Sequence, residues 1–107
     1  MATARVIAPQ GSMEVRLIEL EGEVDQPTIT LSRDAKDQVT WYAHKNHKAI
    51  IAFASPDGSP FHDTIFQVPA GGSVSSGPVK STAQYKEYKY TVIGHCGVND
   101  PKVIIRP

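Results

Sequence analysis

YKEYKYTVIGHCGVNDPKVIIRP, residues 85–107, contains the clearest structural pattern in the chain. Apolar and polar side chains alternate through residues 88–92, which is the period of a half-buried β-strand. A second strand is predicted at 102–105, where the chain reads KVII. The two strands enclose a loop at residues 94–101. The pattern predicts a β-sheet protein in which the last two strands flank this loop.

The loop between the two strands concentrates chemically active side chains. It contains His95, Asp100 and Cys96, and Cys96 is the only cysteine of the chain. Loops that a rigid sheet holds in place are common positions for binding sites. One cysteine cannot form an internal disulfide, which leaves a free thiol, a metal ligand or an intermolecular bridge as alternatives.

The composition is that of an ordinary globular domain. With 107 residues the chain is expected to form one domain, in which residues 1–12 are an arm or an edge strand. Eleven Lys and Arg balance 11 Asp and Glu, so the basic excess of nucleic-acid-binding proteins is lacking. No apolar run reaches the length of a membrane span. The first residues, MATARVIAPQ, lack a signal-peptide layout. We expect a cytoplasmic protein, or a periplasmic or extracellular one if a signal peptide was removed.

The rest of the chain also has the pattern of short strands. Strands are predicted at 13–24 with a bulge-like change of phase, and at 28–31, 38–43, 49–54, 65–68 and 73–76. Turn-forming residues separate them, which predicts an all-β Greek-key β-sandwich of seven to eight strands. A helical stripe through 13–24 is the alternative there, although Gly22 limits its length. A short helical turn is also conceivable at 61–64.

In order and spacing, four stretches resemble the cupredoxins, the plastocyanin-like β-sandwiches. They are ITLSRDAKDQVTWYA at 29–43, AIIAF at 49–53, FQVPAGGSVSSGPV at 66–79, and YKYTVIGH at 88–95 with the terminal KVIIRP. The resemblance covers about residues 28–107. It implies a cupredoxin fold with a copper site near the last loop.

The resemblance also implies four copper-ligand positions, and most of them have changed. The position of the thiolate is Val92, that of the first histidine is Ala49, and that of the methionine is Asp100. Only the second histidine matches, at His95. Type 1 copper needs two histidines and a thiolate with a weak axial ligand. The resemblance therefore implies a degenerate type 1 site.

Residues that remain able to bind a metal are His95, His47, Cys96 and Asp100, and copper or zinc is the ion they would hold. No cofactor is expected for the leading interpretation, and copper or zinc is the alternative. Two of these residues also have a simpler explanation. Cys96 would pack under its loop, and Asp100 would order the loop through hydrogen bonds to the backbone. His44 and His62 are expected to be solvated loop histidines. Trp41, Tyr88 and Tyr90 are expected in the core rather than on a binding platform.

Three functions follow from these observations. The leading hypothesis is a non-enzymatic cupredoxin-like binding or interaction domain that lacks an intact type 1 copper site. Its partner would be an unknown protein, and the chain would be a monomer or a weak dimer. The second is copper or zinc handling through histidines, and the third is copper electron transfer. An enzyme is the weakest hypothesis, since no catalytic triad is visible.

Overall fold

A computed structural model describes residues 12–17, 24–44, 47–53, 58–93 and 101–107. The strands of these ranges are β1 (Ser12–Arg16), β2 (Thr28–Ser32), β3 (Gln38–Tyr42), β4 (Ala49–Ala52), β5 (Ile65–Val68), β6 (Ser73–Ser75), β7 (Glu87–Lys89), β8 (Thr91–Ile93) and β9 (Lys102–Arg106). They form three-stranded sheets in the orders β1-β3-β6, β2-β9-β7 and β5-β4-β8. Among the described residues, no helix is long and apolar enough to cross a membrane.

The sheets enclose one core and form the predicted all-β sandwich. β1 runs parallel to β3, whereas β6 pairs with β3 in the antiparallel sense. β4 lies antiparallel between β5 and β8. The molecule measures 38 × 33 × 19 Å along its principal axes. A β-sandwich consists of two layers of β-sheet packed face to face, and this flattened shape agrees with that arrangement.

Trp41 on β3 joins the two layers at the centre of the core. Its side chain is completely buried. Its ring centroid lies 5.3 Å from that of Phe66 on β5 and 5.6 Å from that of Tyr90. Phe53 and Phe61 complete the cluster at 6.2 and 6.4 Å. The expectation that Trp41, Tyr88 and Tyr90 belong to the core is confirmed, because both tyrosines are also buried.

The strand predicted across 88–92 is two strands. β7 pairs with β9, whereas β8 pairs with β4 in a different sheet. The chain changes sheets at Tyr90, whose backbone N–H donates to the carbonyl of Pro101 at 3.1 Å. The alternation is nevertheless retained, since Tyr90 remains buried on the inner side.

Two other local predictions also change. The strand predicted at 13–24 ends at Arg16, and beyond it Leu17 forms an isolated antiparallel bridge with Val24. Residues 12–17 therefore form extended structure rather than the helix that was the alternative for 13–24. Residues 61–64 form bends rather than a helical turn.

Candidate metal-binding end of the sandwich

Two of the positions that the resemblance assigns to copper ligands lie side by side on β4 and β8. Val92 is directly opposite Ile51 in the antiparallel register. Ala49 precedes Ile51 by two residues and therefore shares its face of the sheet. Ile51 and Ala49 are buried, and Val92 is partly buried against the core. Both positions thus face the interior.

The side chains at these two positions cannot bind a metal. A methyl group at Ala49 and an isopropyl group at Val92 contain no donor atom, and both pack with the core. Blue copper depends on a thiolate and two imidazoles. The residues at these positions therefore do not fit a type 1 copper ion, although the fold places them where its ligands would be expected.

His44 and His47 lie on the turn that leads into β4. The N–H of His47 donates to the carbonyl oxygen of His44 at 3.1 Å, which closes the turn. The two imidazole centroids are 6.1 Å apart with an interplanar angle of 40°. His44 is half-buried and His47 is exposed. Each of the two histidines also has a further interaction.

The segment that contains His44 and His47, called the histidine turn below, is hydrogen-bonded to the turn between β5 and β6. The N–H of Gly71 donates to the carbonyl of His44 at 2.9 Å, and the N–H of Ala43 donates to the carbonyl of Gly72 at 3.0 Å. Gly71 has a φ of 71°, a conformation that favours glycine. A Cβ at Gly72 would lie 2.7 Å from Cγ of Pro69. The sequence PAGG thus permits the close approach that holds the histidine turn.

The other predicted site residues are distributed as follows. His47 lies on the histidine turn, whereas His95, Cys96 and Asp100 fall outside the described residues. His62 is exposed on the loop that enters β5 at Ile65, far along that strand from Pro69. Within the described ranges, no three His, Cys, Asp or Glu side chains converge in a way that could hold a metal. The pairing of His44 with His47 was not predicted, and only their three-residue spacing signalled it.

A shallow depression of about 370 Å³ lies beside this end of β4 and β5. Its lining is formed by Lys48, Ala49, Ile50, Gln67, Val68 and Pro69. This surface is mainly apolar, and Lys48 and Gln67 are the polar side chains among these lining residues. The depression therefore offers a small contact surface rather than a set of metal donors.

Behind this end, the polar atoms of Tyr90 and Trp41 lie in the apolar core. Neither the Tyr90 hydroxyl nor Nε1 of Trp41 has a hydrogen-bond partner among the described residues. Burial raises the pKa of Tyr90 to about 12. The nearby Trp41 N–H favours the phenolate and opposes part of this rise, although the two groups lack ordinary hydrogen-bond geometry, and the Asp25 charge adds slightly to the rise.

The chain is similar in structure to amicyanin. An oxidised proline-to-glycine mutant of amicyanin superposes with a TM-score of 0.64 at 18% identity, covering 98% of this chain and 90% of that one. A methionine-to-alanine mutant in its Cu(I) form gives 0.64 at 15% identity, with 92% and 86% covered. No protein-family model and no curated protein matches the sequence. At this level of identity the likeness shows the fold, and the chain has the β-sandwich fold of the cupredoxins, as its sequence resemblance implied.

Proposed function

We propose that this chain is a non-enzymatic cupredoxin-like binding domain that does not carry type 1 copper. The observation that supports this most directly is the pair Ala49 and Val92. Both face the interior at positions assigned to copper ligands, and both are apolar. A domain that keeps the fold without these donors retains its surfaces rather than its redox centre.

The outer face of the β5-β4-β8 sheet supports a role in binding. Ile65 is 60% exposed and Ile93 is 50% exposed. Ile50 stands directly opposite Ile93 in the register, and Ala52 stands opposite Ile65, so these side chains share the outer face. Ile65 and Ile93 lie on the two strands that flank β4, and large apolar side chains exposed on one face often mark interaction surfaces. The partner we infer is a protein with a small apolar contact surface.

The absence of type 1 copper is tested by adding Cu(II) to the purified chain and recording its visible spectrum. We expect no intense blue charge-transfer band, because Val92 stands at the thiolate position and Ala49 at a histidine position. Cys96→Ser is the matched variant, since Cys96 supplies the only thiol of the chain.

The opposite result would favour another function. A strong band in the parent that disappears in Cys96→Ser would overturn the proposal and favour copper electron transfer. This alternative is worth testing because the similar amicyanin structures include Cu(I) forms. Copper binding without such a band would leave the proposal standing, because the proposal concerns type 1 copper alone.

A further inference from the structure

We propose that His44 and His47 form a copper site of their own, in which two imidazoles and solvent hold Cu(II). The site lies on the turn before β4 and involves neither Ala49 nor Val92. The inference goes beyond the proposed function, which stands whether or not copper binds at this turn.

The separation of the two rings suits a shared metal ion. An imidazole nitrogen binds at about 2.0 Å, so each ring centroid lies about 3.2 Å from the ion and two centroids are at most about 6.4 Å apart. The centroids of His44 and His47 are 6.1 Å apart. The two rings are therefore close enough to bind one ion, with a wide angle between the two metal–nitrogen bonds.

The backbone already holds the two histidines together. The hydrogen bond from His47 N–H to the His44 carbonyl closes the turn at 3.1 Å. The N–H of Gly71 reaches the same carbonyl at 2.9 Å and fixes the turn to the β5–β6 connection. Because these hydrogen bonds fix the main-chain groups of His44 and His47, binding a metal restricts mainly the torsions of their side chains.

The two-imidazole ligand set favours copper over other divalent ions. Affinity for nitrogen ligands rises to a maximum at Cu²⁺ and falls again at Zn²⁺. Cu(II) accepts a tetragonal arrangement of nitrogen and oxygen ligands, in which water can fill the remaining positions. His47 is exposed and His44 is half-buried, so water has access to the ion. Zn²⁺ usually takes more ligands from the protein and should bind more weakly here.

The test is calorimetric titration of the whole chain with Cu(II), together with electron paramagnetic resonance of the loaded protein. The variants are His44→Gln, His47→Gln and the matched control His62→Gln, which removes an exposed histidine from a different loop. We expect one Cu(II) per parent chain, with nitrogen couplings from imidazole. Each variant of the turn should lower the affinity about tenfold or more, which is about 1.4 kcal/mol. His62→Gln should leave the affinity unchanged.

Two outcomes would overturn the inference. One is a parent chain that binds no copper, and the other is affinity that is the same in His44→Gln and His47→Gln as in the parent. Binding that is lost only in His95→Gln would belong to the second case and would place the ion on the last loop. If His44→Gln proves unfolded by circular dichroism, His47→Gln decides alone, because that side chain is exposed. An intense blue band would count against the proposed function, whereas failure of copper to bind counts only against this site.

Discussion

Trp41 and Val92 face the same interior, one at its aromatic centre and the other near the end where a copper ion would be expected. Four aromatic rings surround Trp41 with centroid separations of 5.3 to 6.4 Å. Val92 has Ile51 directly opposite it, and Ala49 lies two residues before Ile51 on the same face of β4. The centre holds the layers together, whereas the end has changed its chemistry without loss of the fold. Fold and metal site are thus separable in this chain, as the physics of core packing allows.

The largest effect on stability is expected from truncating Trp41, the side chain at the centre of the core. Trp41→Ala should lower the free energy of unfolding by about 3–5 kcal/mol, because it leaves a cavity between four rings. Urea denaturation followed by circular dichroism measures this loss. Ile65→Ala is the control, since an exposed side chain should change stability by less than about 0.5 kcal/mol. A loss below about 1 kcal/mol for Trp41→Ala would mean that the centre does not hold the layers together.

A second effect concerns the buried hydroxyl of Tyr90. Its pKa in the folded chain is about 12, above the ordinary 10.0, because burial disfavours the phenolate. The phenol is neutral in both states below pH 10, so its contribution to stability is fully present there and is lost as the pH rises toward 12. This loss is at most about 3 kcal/mol.

Tyr90→Phe should remove this part of the alkaline destabilisation and change stability at pH 7 by less than about 1 kcal/mol, since the hydroxyl lacks a partner among the described residues. Urea titrations from pH 8 to 11.5 compare it with the parent and with Tyr85→Phe, which removes an exposed phenol. Identical slopes for parent and Tyr90→Phe would show that water reaches the hydroxyl.

Alternation of apolar and polar residues was enough to predict most of the strands. The inner positions of β3 and β5 follow it, with Val39, Trp41, Phe66 and Val68 all buried. The division of 88–92 between two sheets was not predictable, because it depends on pairing with β4 and β9 from distant parts of the chain. Thr40 alternates with the inward-facing Val39 and Trp41 but is also buried, and its hydroxyl forms hydrogen bonds with those of Ser12 and Ser75 on the two neighbouring strands.

The candidate site was less predictable than the fold. The changed ligand positions at Ala49 and Val92 followed from the spacing of the resemblance, and their inward orientation agrees with that spacing. The His44–His47 pair depends on the closure of a turn and on its attachment through Gly71. The hydrogen bond between Gly71 and His44 joins residues far apart in the sequence, and a local sequence pattern does not reveal such a contact. The predictions for His95, Cys96 and Asp100 remain predictions.

A third experiment attempts to restore the missing ligands. Ala49→His combined with Val92→Cys should give an intense visible band with Cu(II) that the parent lacks, because it supplies a thiolate and an imidazole facing the interior. The larger side chain at position 49 should cost about 1–3 kcal/mol of stability. Val92→Ser with Ala49→His is the matched control without a thiolate. A colourless double variant would show that the end differs from a type 1 site in more than these two residues.

The smallest effect is expected on the outer face, where Ile93 is 50% exposed. Ile93→Lys should change the free energy of unfolding by less than about 0.5 kcal/mol, since half of this residue already contacts water. The exposed large apolar side chains described on this face are Ile65 and Ile93, whereas a stable interface buries roughly 800 Å² per partner and involves about 20–30 residues. Sedimentation velocity at tens of micromolar should therefore give monomers for both the parent and Ile93→Lys, with Thr28→Lys on β2 as the control. A parent dimer that Ile93→Lys dissociates and Thr28→Lys does not would make this face a self-interface, and the partner of the binding domain would then be its own second copy.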